Sequence, residues 1–285
     1  MKIRPVARIL QSQAVSEGAG VTVRRSIGTQ TLRNLDPFLM LDHFGSDNPN
    51  EYIAGFPDHP HRGFVTFTYM LDGHMLHQDS MGNRGDLRAG GAQWMKAAAG
   101  VIHSEMPQQT QGLMRGFQLW INLPSREKMT PPEYQEFTPE AIPEIEADGA
   151  RIRILAGEHA GNKGVIQDPF SKVKYLDVRL SGHSTFTTNV PDGYNAFAYV
   201  FEGNARSENT ELPNHSFVLF GDGESVTIQS DGKETRFILV AGQPLNEPIV
   251  QYGPFVMNTR AEIEQAFADY QSGKFASIKA NVKGH

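Results

Sequence analysis

The segment FTYMLDG at residues 67–73 returns 130 residues later as FAYVFEG at 197–203. Each is a short aromatic run that ends in an acidic residue and a glycine, which reads as a strand closing on a tight turn. Further on, VIHSEMP at 101–107 can be laid over ILVAGQP at 238–244, with an offset of 137. The two matches keep their order and nearly their spacing. They predict one β-domain present twice, as two small barrels or sandwiches. The length of 285 residues suits that reading, since two domains of about 100–150 residues each fill it.

The rest of the chain carries the same signature. Runs at 64–71, 117–123, 151–155, 174–180, 196–201, 216–220 and 236–241 are apolar, alternating or β-branched and are separated by Gly, Asp and Asn. The 28 glycines suit turns between antiparallel strands. One stretch reads as helix, TRAEIEQAFADYQSG. Thr259 and Glu262 form a capping-box pattern, Ile263, Ala266, Phe267 and Tyr270 share a face, and Gly273 follows as a stop. The expectation is a helix on the outside of a sheet. Between residues 124 and 150 stand Pro124, Pro131, Pro132, Pro139 and Pro143, a density that predicts no regular strand there. The predicted division is therefore a first barrel over 1–130, a Pro-rich connection over 131–150 and a second barrel over 151–285 ending in the helix.

Composition narrows the chemistry. There is no cysteine, which removes disulfides, thiolate metal sites, iron–sulfur clusters and cysteine nucleophiles. The net charge of −6 comes without a basic run, which argues against direct nucleic-acid binding. No apolar run approaches the roughly 20 residues of a membrane span, and the first residues lack the apolar core of a signal peptide. A cytoplasmic, monomeric protein is the expectation.

Six of the ten histidines fall between His43 and His103. In FPDHPHRGF, His59 and His61 stand two apart, as do His103 and Glu105 in GVIHSEMP. Residues i and i+2 of a strand project from one face, roughly 6.6–7 Å apart. Two such pairs on facing strands can close three imidazoles and one carboxylate on a single cation. That nitrogen/oxygen set suits Fe(II), Ni, Mn, Co, Cu or Zn about equally. Four ligands on a six-coordinate ion leave two positions open, as a catalytic site requires. Under the internal alignment, His59, His61, His103 and Glu105 fall on Asn189, Pro191, Val240 and Gly242, so a metal is expected in the first barrel and none in the second.

LDPFLMLDHFG, FPDHPHRGF, GAQWMKAAAGVIHSEMP and GPFVMNT, in that order, resemble the pirin family of the cupin superfamily from about Arg4 to Phe275. The resemblance implies an all-β fold of two tandem cupin (jelly-roll) barrels with a short C-terminal helix. It also implies one metal, usually iron, in the N-terminal barrel on His59, His61, His103 and Glu105. Two departures stand out: Val65 where pirins commonly carry Glu, and His43 where they often carry an acid. A surface or supporting position is expected for His43.

Several pirins open the central ring of the flavonol quercetin with dioxygen and release carbon monoxide. The resemblance therefore implies a quercetin 2,3-dioxygenase-like oxidoreductase, with dioxygen as co-substrate. Glu105 is either the catalytic proton acceptor or a plain ligand. Phe56, Phe64, Gln118 and Trp120 are candidates for the substrate pocket, with Met75, Phe117 and Gln93 behind them, although such residues also fill barrel cores. His74 and His77 are expected at an exposed hairpin, and Arg62 in a surface or inter-strand salt bridge. The alternative is a non-enzymatic regulator that senses redox state through its metal and acts on a protein partner.

Overall fold

The structure is a computed structural model that describes residues 2–276 and 281–282. The chain divides into two units. The first comprises Gln13–Pro139 and the segment that begins at Leu245, and the second comprises Glu140–Pro244 and the segment that ends at Ser12. Each is a barrel of two antiparallel sheets.

In the first barrel the larger sheet runs in the order Gln13–Glu17, Val21–Ile27, Phe38–Ser46, Met114–Asn122, Phe64–Asp72, Ala92–Lys96, Glu133–Phe137, with Asn281–Val282 at its edge. The smaller sheet has the order Phe56–His61, Val101–Pro107, His74–Asp79, Arg84–Arg88. Phe64–Asp72 is buried at nearly every position, because it lies between Met114–Asn122 and Ala92–Lys96. Arg84–Arg88 alternates exposed and buried, as an edge strand with one wet face must.

The second barrel repeats this plan. Its larger sheet runs Val6–Gln11, Ser216–Phe220, Asn195–Glu202, Thr235–Gly242, Lys174–Leu180, Ala150–Ala156, Glu144–Ala147. Its smaller sheet runs Thr185–Asn189, Ser225–Ser230, Ala205–Ser207, Thr210–Leu212, the same first–fourth–second–third order as in the first barrel. The fold is two tandem cupin barrels.

Three expectations are corrected. The boundaries differ from 1–130, 131–150 and 151–285, because each end of the chain closes the sheet of the other half. Val6–Gln11 pairs with Ser216–Phe220, and the helix packs on Val250–Tyr252 and Phe255–Met257 in the first unit. The Pro-rich stretch does hold strands. Glu133–Phe137 pairs with Ala92–Lys96 and Glu144–Ala147 with Ala150–Ala156, since the prolines flank these runs and never interrupt them. The third correction concerns the repeat. Phe64–Asp72 and Asn195–Glu202 are equivalent strands, as FTYMLDG and FAYVFEG indicate. VIHSEMP, however, lies in the small sheet of its barrel, whereas ILVAGQP runs along Thr235–Gly242 in the large sheet. The small-sheet counterpart of VIHSEMP is Ser225–Ser230.

The C-terminal helix spans Arg260–Gln271 with the capping box complete. Thr259 Oγ1 accepts from the Glu262 backbone at 3.3 Å, and Glu262 Oε2 accepts from the Thr259 backbone at 2.7 Å. Ile263 and Ala266 bury against Phe255, Met257 and Phe275, and Tyr270, although 41% exposed, packs edge-on to Phe275 at 5.6 Å at the rim of that face.

Two contacts lock the site-bearing loop. Gly63 has φ +93°, and a Cβ there would sit 1.9 Å from the Val256 carbonyl oxygen, so only glycine fits after His61–Arg62. Buried Lys128 donates from Nζ to Gly63 O at 2.7 Å, Asn122 Oδ1 at 2.6 Å and Val256 O at 2.8 Å. Among the described residues no helix is long and apolar enough to cross a membrane.

Candidate metal centre

The Phe56–His61 and Val101–Pro107 strands are antiparallel neighbours, with His59 opposite His103 and His61 opposite Val101. A bulge after His103 sets Glu105 against Phe56. The alternation of the two strands thus turns His59, His61 and His103 toward one point. Their ring centroids lie 4.7 Å (59–61), 4.3 Å (59–103) and 4.9 Å (61–103) apart. One nitrogen from each ring lies within 4.8 Å of the others. Glu105 joins a second group of the same kind with His103 and His77, so His103 belongs to both. Glu105 Oε1 is 3.9 Å from His103 Nδ1 and accepts a 3.5 Å hydrogen bond from Gln118 Nε2.

The imidazoles are prepared as neutral ligands. Burial, and after it the neighbouring His59, pushes His61 well below the usual histidine range, against a hydrogen bond with the Pro254 backbone. Burial pushes His103 down as well, with His61, His59 and His77 adding to it. A neutral imidazole keeps a lone pair for a cation. His61 Nδ1 and His103 Nε2 are buried and have no hydrogen-bond partner among the described residues. His59 Nδ1 lies 2.8 Å from the Pro57 carbonyl oxygen, which it serves as donor, leaving Nε2 with the lone pair. Buried polar atoms without partners are costly, by about 1–3 kcal/mol each. A bound cation would relieve that cost, and the donor set fits one.

The site opens into a cavity of about 650 Å³ lined by His59, His61, Glu105, Phe56, Gln118 and Trp120, among others. Thr68 donates from Oγ1 to Gln118 Oε1, which orients the Gln118 amide so that its nitrogen faces Glu105. Phe64 stands behind this wall, stacked on Trp120 at 4.2 Å and edge-on to His61 at 5.0 Å. Met75 lines the cavity, whereas Phe117 stacks on His43 at 4.7 Å. Gln93 donates to Tyr134 Oη at 2.8 Å and is not among the lining residues. Val65 is buried in its strand and does not line the cavity either. Across the cavity, Arg25 bonds Asp42 through Nε and Nη2 at 2.8 and 2.6 Å and reaches Glu17 at 2.7 Å.

Four side chains differ from expectation. His77 is 1% exposed, not on an open hairpin. Tyr134 stacks over it at 4.7 Å, and its Nε2 lies 3.3 Å from Asp79 Oδ2. Burial works against the Asp79 carboxylate, but hydrogen bonds from His77 and Asn83 outweigh it and hold the group below its usual range. The sequence did carry a signal, because HQD repeats the two-residue spacing of the site pairs. His74 is half-buried and pairs with Asp86. His43 is buried rather than at the surface. Arg62 forms the predicted kind of salt bridge, to Asp269 at 2.7 Å, but in the interior: it also donates to Ala99 O at 2.6 Å and lies over Phe275.

A more open cavity of about 960 Å³ lies in the second barrel, beside His159 and Lys174. No group of three metal-ligating side chains occurs there among the described residues.

The sequence matches the pirin family over residues 20–121 and the pirin C-terminal cupin domain over residues 175–276. It is 44% identical over 283 residues to a Pseudomonas aeruginosa protein named "Putative quercetin 2,3-dioxygenase", covering 96% of this chain and 99% of that one. A pirin-like protein of Solanum lycopersicum is 48% identical over 277 residues, with 95% and 92% covered. The crystal structure of a quercetin 2,3-dioxygenase from Acinetobacter baumannii is 36% identical and superposes with a TM-score of 0.89 over 97% of this chain and 99% of that chain. With both cupin domains matched in order and relatives aligned end to end, the chain belongs to the pirin family.

Proposed function

We propose that this protein is a metal-dependent dioxygenase that opens the ring of a flavonol such as quercetin. His59, His61, His103 and Glu105 would hold one divalent ion, iron(II) by preference. The observation that carries this reading is the nest of three imidazoles, two of them with buried, partnerless nitrogens, at a largely apolar cavity. This reading is supported by the A. baumannii structure, named as a quercetin 2,3-dioxygenase, and by the P. aeruginosa relative named "Putative quercetin 2,3-dioxygenase".

Bound there, the ion would supply Lewis acidity toward the 3-hydroxyl of a flavonol. The chain's own groups do the rest. Glu105 is the carboxylate nearest the imidazoles that also lines the cavity, and it takes the 3-hydroxyl proton as general base. The Gln118 amide, fixed by Thr68, hydrogen-bonds Glu105 and steadies it for that task. Phe56 and Trp120 give a flat aromatic substrate its apolar walls and keep water out. The volume of about 650 Å³ falls in the usual range for a small-molecule site. In the overall reaction dioxygen adds across the central ring, two carbon–carbon bonds break and one ring carbon leaves as carbon monoxide.

The test is to load the purified protein with iron(II), add quercetin, and follow its visible absorbance together with dioxygen consumption. Turnover that disappears in His61→Ala and Glu105→Gln supports the enzyme. A protein that retains its iron yet turns over none of a panel of flavonols and catechols overturns it, in favour of a redox-sensing regulator with a protein partner.

A further inference from the structure

His77 and Asp79 lie on the strand next to His103, with Asp79 opposite His103 and His77 opposite Glu105. Both side chains are shut off from water, at 1% and 0% exposure. The Asp79 carboxylate is surrounded by donors. Oδ1 accepts from the Met81 and Asn83 backbones at 2.9 and 3.0 Å, and Oδ2 accepts from Asn83 Nδ2 at 2.8 Å. An ionised carboxylate can only accept, so the His77 nitrogen 3.3 Å from Oδ2 must be the one that carries the proton. That nitrogen is Nε2. In a neutral imidazole the other nitrogen, Nδ1, then holds a lone pair.

Nδ1 of His77 faces Nδ1 of His103 at 3.4 Å. Since His77 accepts at this contact, His103 must donate, which places the His103 proton on Nδ1. The lone pair of His103 therefore falls on Nε2. This is the atom of that ring left buried without a hydrogen-bond partner among the described residues. Both nitrogens of His77 are engaged, by Asp79 and by His103, so His77 has none left to ligate with.

We infer that His77 and Asp79 are positioning residues: they fix the tautomer of His103 and thereby make its Nε2 the metal-binding nitrogen. The inference rests on the metal reading above. It adds a relay of two hydrogen bonds, from carboxylate to imidazole to ligand imidazole, that sets which atom meets the cation. Tyr134, stacked on His77, holds the middle ring in plane.

The isosteric change Asp79→Asn turns the relay around. The two backbone N–H groups at Oδ1 keep the Asn oxygen on their side, so its NH₂ faces His77 Nε2, and the Asn83 amide turns over to present its oxygen to that NH₂. His77 must then accept at Nε2 and donate from Nδ1. His103 is forced to accept at Nδ1 and carry its proton on Nε2, where it can no longer ligate.

The test is nitrogen-15 NMR of the metal-free full chain with labelled histidine, in which the ring nitrogens report the tautomer directly. Wild type is expected to show His103 protonated on Nδ1 and His77 on Nε2, with His103 reversed in Asp79→Asn. Cobalt(II) binding, measured by competition with a chelator, should weaken about 10–100-fold in the variant. Removing a negative charge would weaken a cation too, so the tautomer decides. Wild type protonated on His103 Nε2 overturns the inference without recourse to any variant. Cobalt uptake by wild type, with the same His103 tautomer in Asp79→Asn, overturns the relay alone. A wild type that takes up no cobalt overturns the metal reading and the relay together.

Discussion

The two barrels share a strand order but fill it with opposite chemistry. In the second, the inward residues of Thr185–Asn189 and Ser225–Ser230 include Phe186, Val226 and Ile228, which join an apolar core with Phe237, Leu239 and Leu176. In the first, the matching strands Phe56–His61 and Val101–Pro107 bring in His61, His103 and Glu105, all buried. One copy fills these strands with packing residues and the other with residues able to ligate a metal. The difference extends to the large sheet, where Arg25, Asp42, Thr68 and Gln118 add polar groups to the cavity of the first barrel.

That contrast can be broken from either side. The largest effect is expected in the second barrel. Phe237→Ala, at a fully buried position, should cost about 3–5 kcal/mol in denaturant unfolding and leave metal content unchanged. A loss of metal with it would mean that the barrels are not independent in this respect. In the first barrel the metal itself should be the stabiliser. At a free metal concentration about a thousandfold above Kd it adds roughly 4 kcal/mol, and a chelator should lower Tm correspondingly. His103→Ala should abolish that chelator-sensitive shift, and the metal-free protein should lose some Tm as well, because the cavity and the orphaned His77 Nδ1 outweigh the loss of one partnerless nitrogen.

Lys128→Met comes next. It leaves three oxygens without their donor, and about 3 kcal/mol should be lost in unfolding of the metal-free protein. The smallest effect concerns Asp269. Its hydrogen bond from Arg62, and then that from Gln265, outweighs a slight desolvation and holds the carboxylate below its ordinary 3.8. A carboxylate depressed in the folded state stabilises above its unfolded pKa, and that contribution fades as pH falls through the folded value. Asp269→Asn should therefore lower the stability of the metal-free protein modestly at pH 7 and change it little at the acid end, so that the acid limb of its stability–pH curve below about pH 4 becomes flatter. An unchanged acid limb would remove Asp269 from the list of groups that sense acid.

Much of this was legible in the chain because it is local. The alternation of His59 and His61, and of His103 and Glu105, needs only the two-residue period of a strand. The helix cap needs only Thr259 and Glu262. What escaped was decided by distant partners. HQD looks like a hairpin end until Tyr134, from a later strand, covers His77. VIHSEMP and ILVAGQP look alike because both end in a short apolar strand before proline, yet the neighbours that sort them into small and large sheets lie far away in sequence. Nothing in the residues of Val6–Gln11 names Ser216–Phe220 as the partner.

The exchange of chain ends has a consequence for biosynthesis. The ring of His61 is hydrogen-bonded by Pro254, and Gly63 and Arg62 pack under Val256 and Phe255. A ribosome that has translated both histidine motifs has made His59, His61, His103 and Glu105 but not yet the segment that supports them. Until the residues near 257 have been made, the imidazole nest has no complete support, so its assembly waits on synthesis of the whole second barrel, Glu140–Pro244.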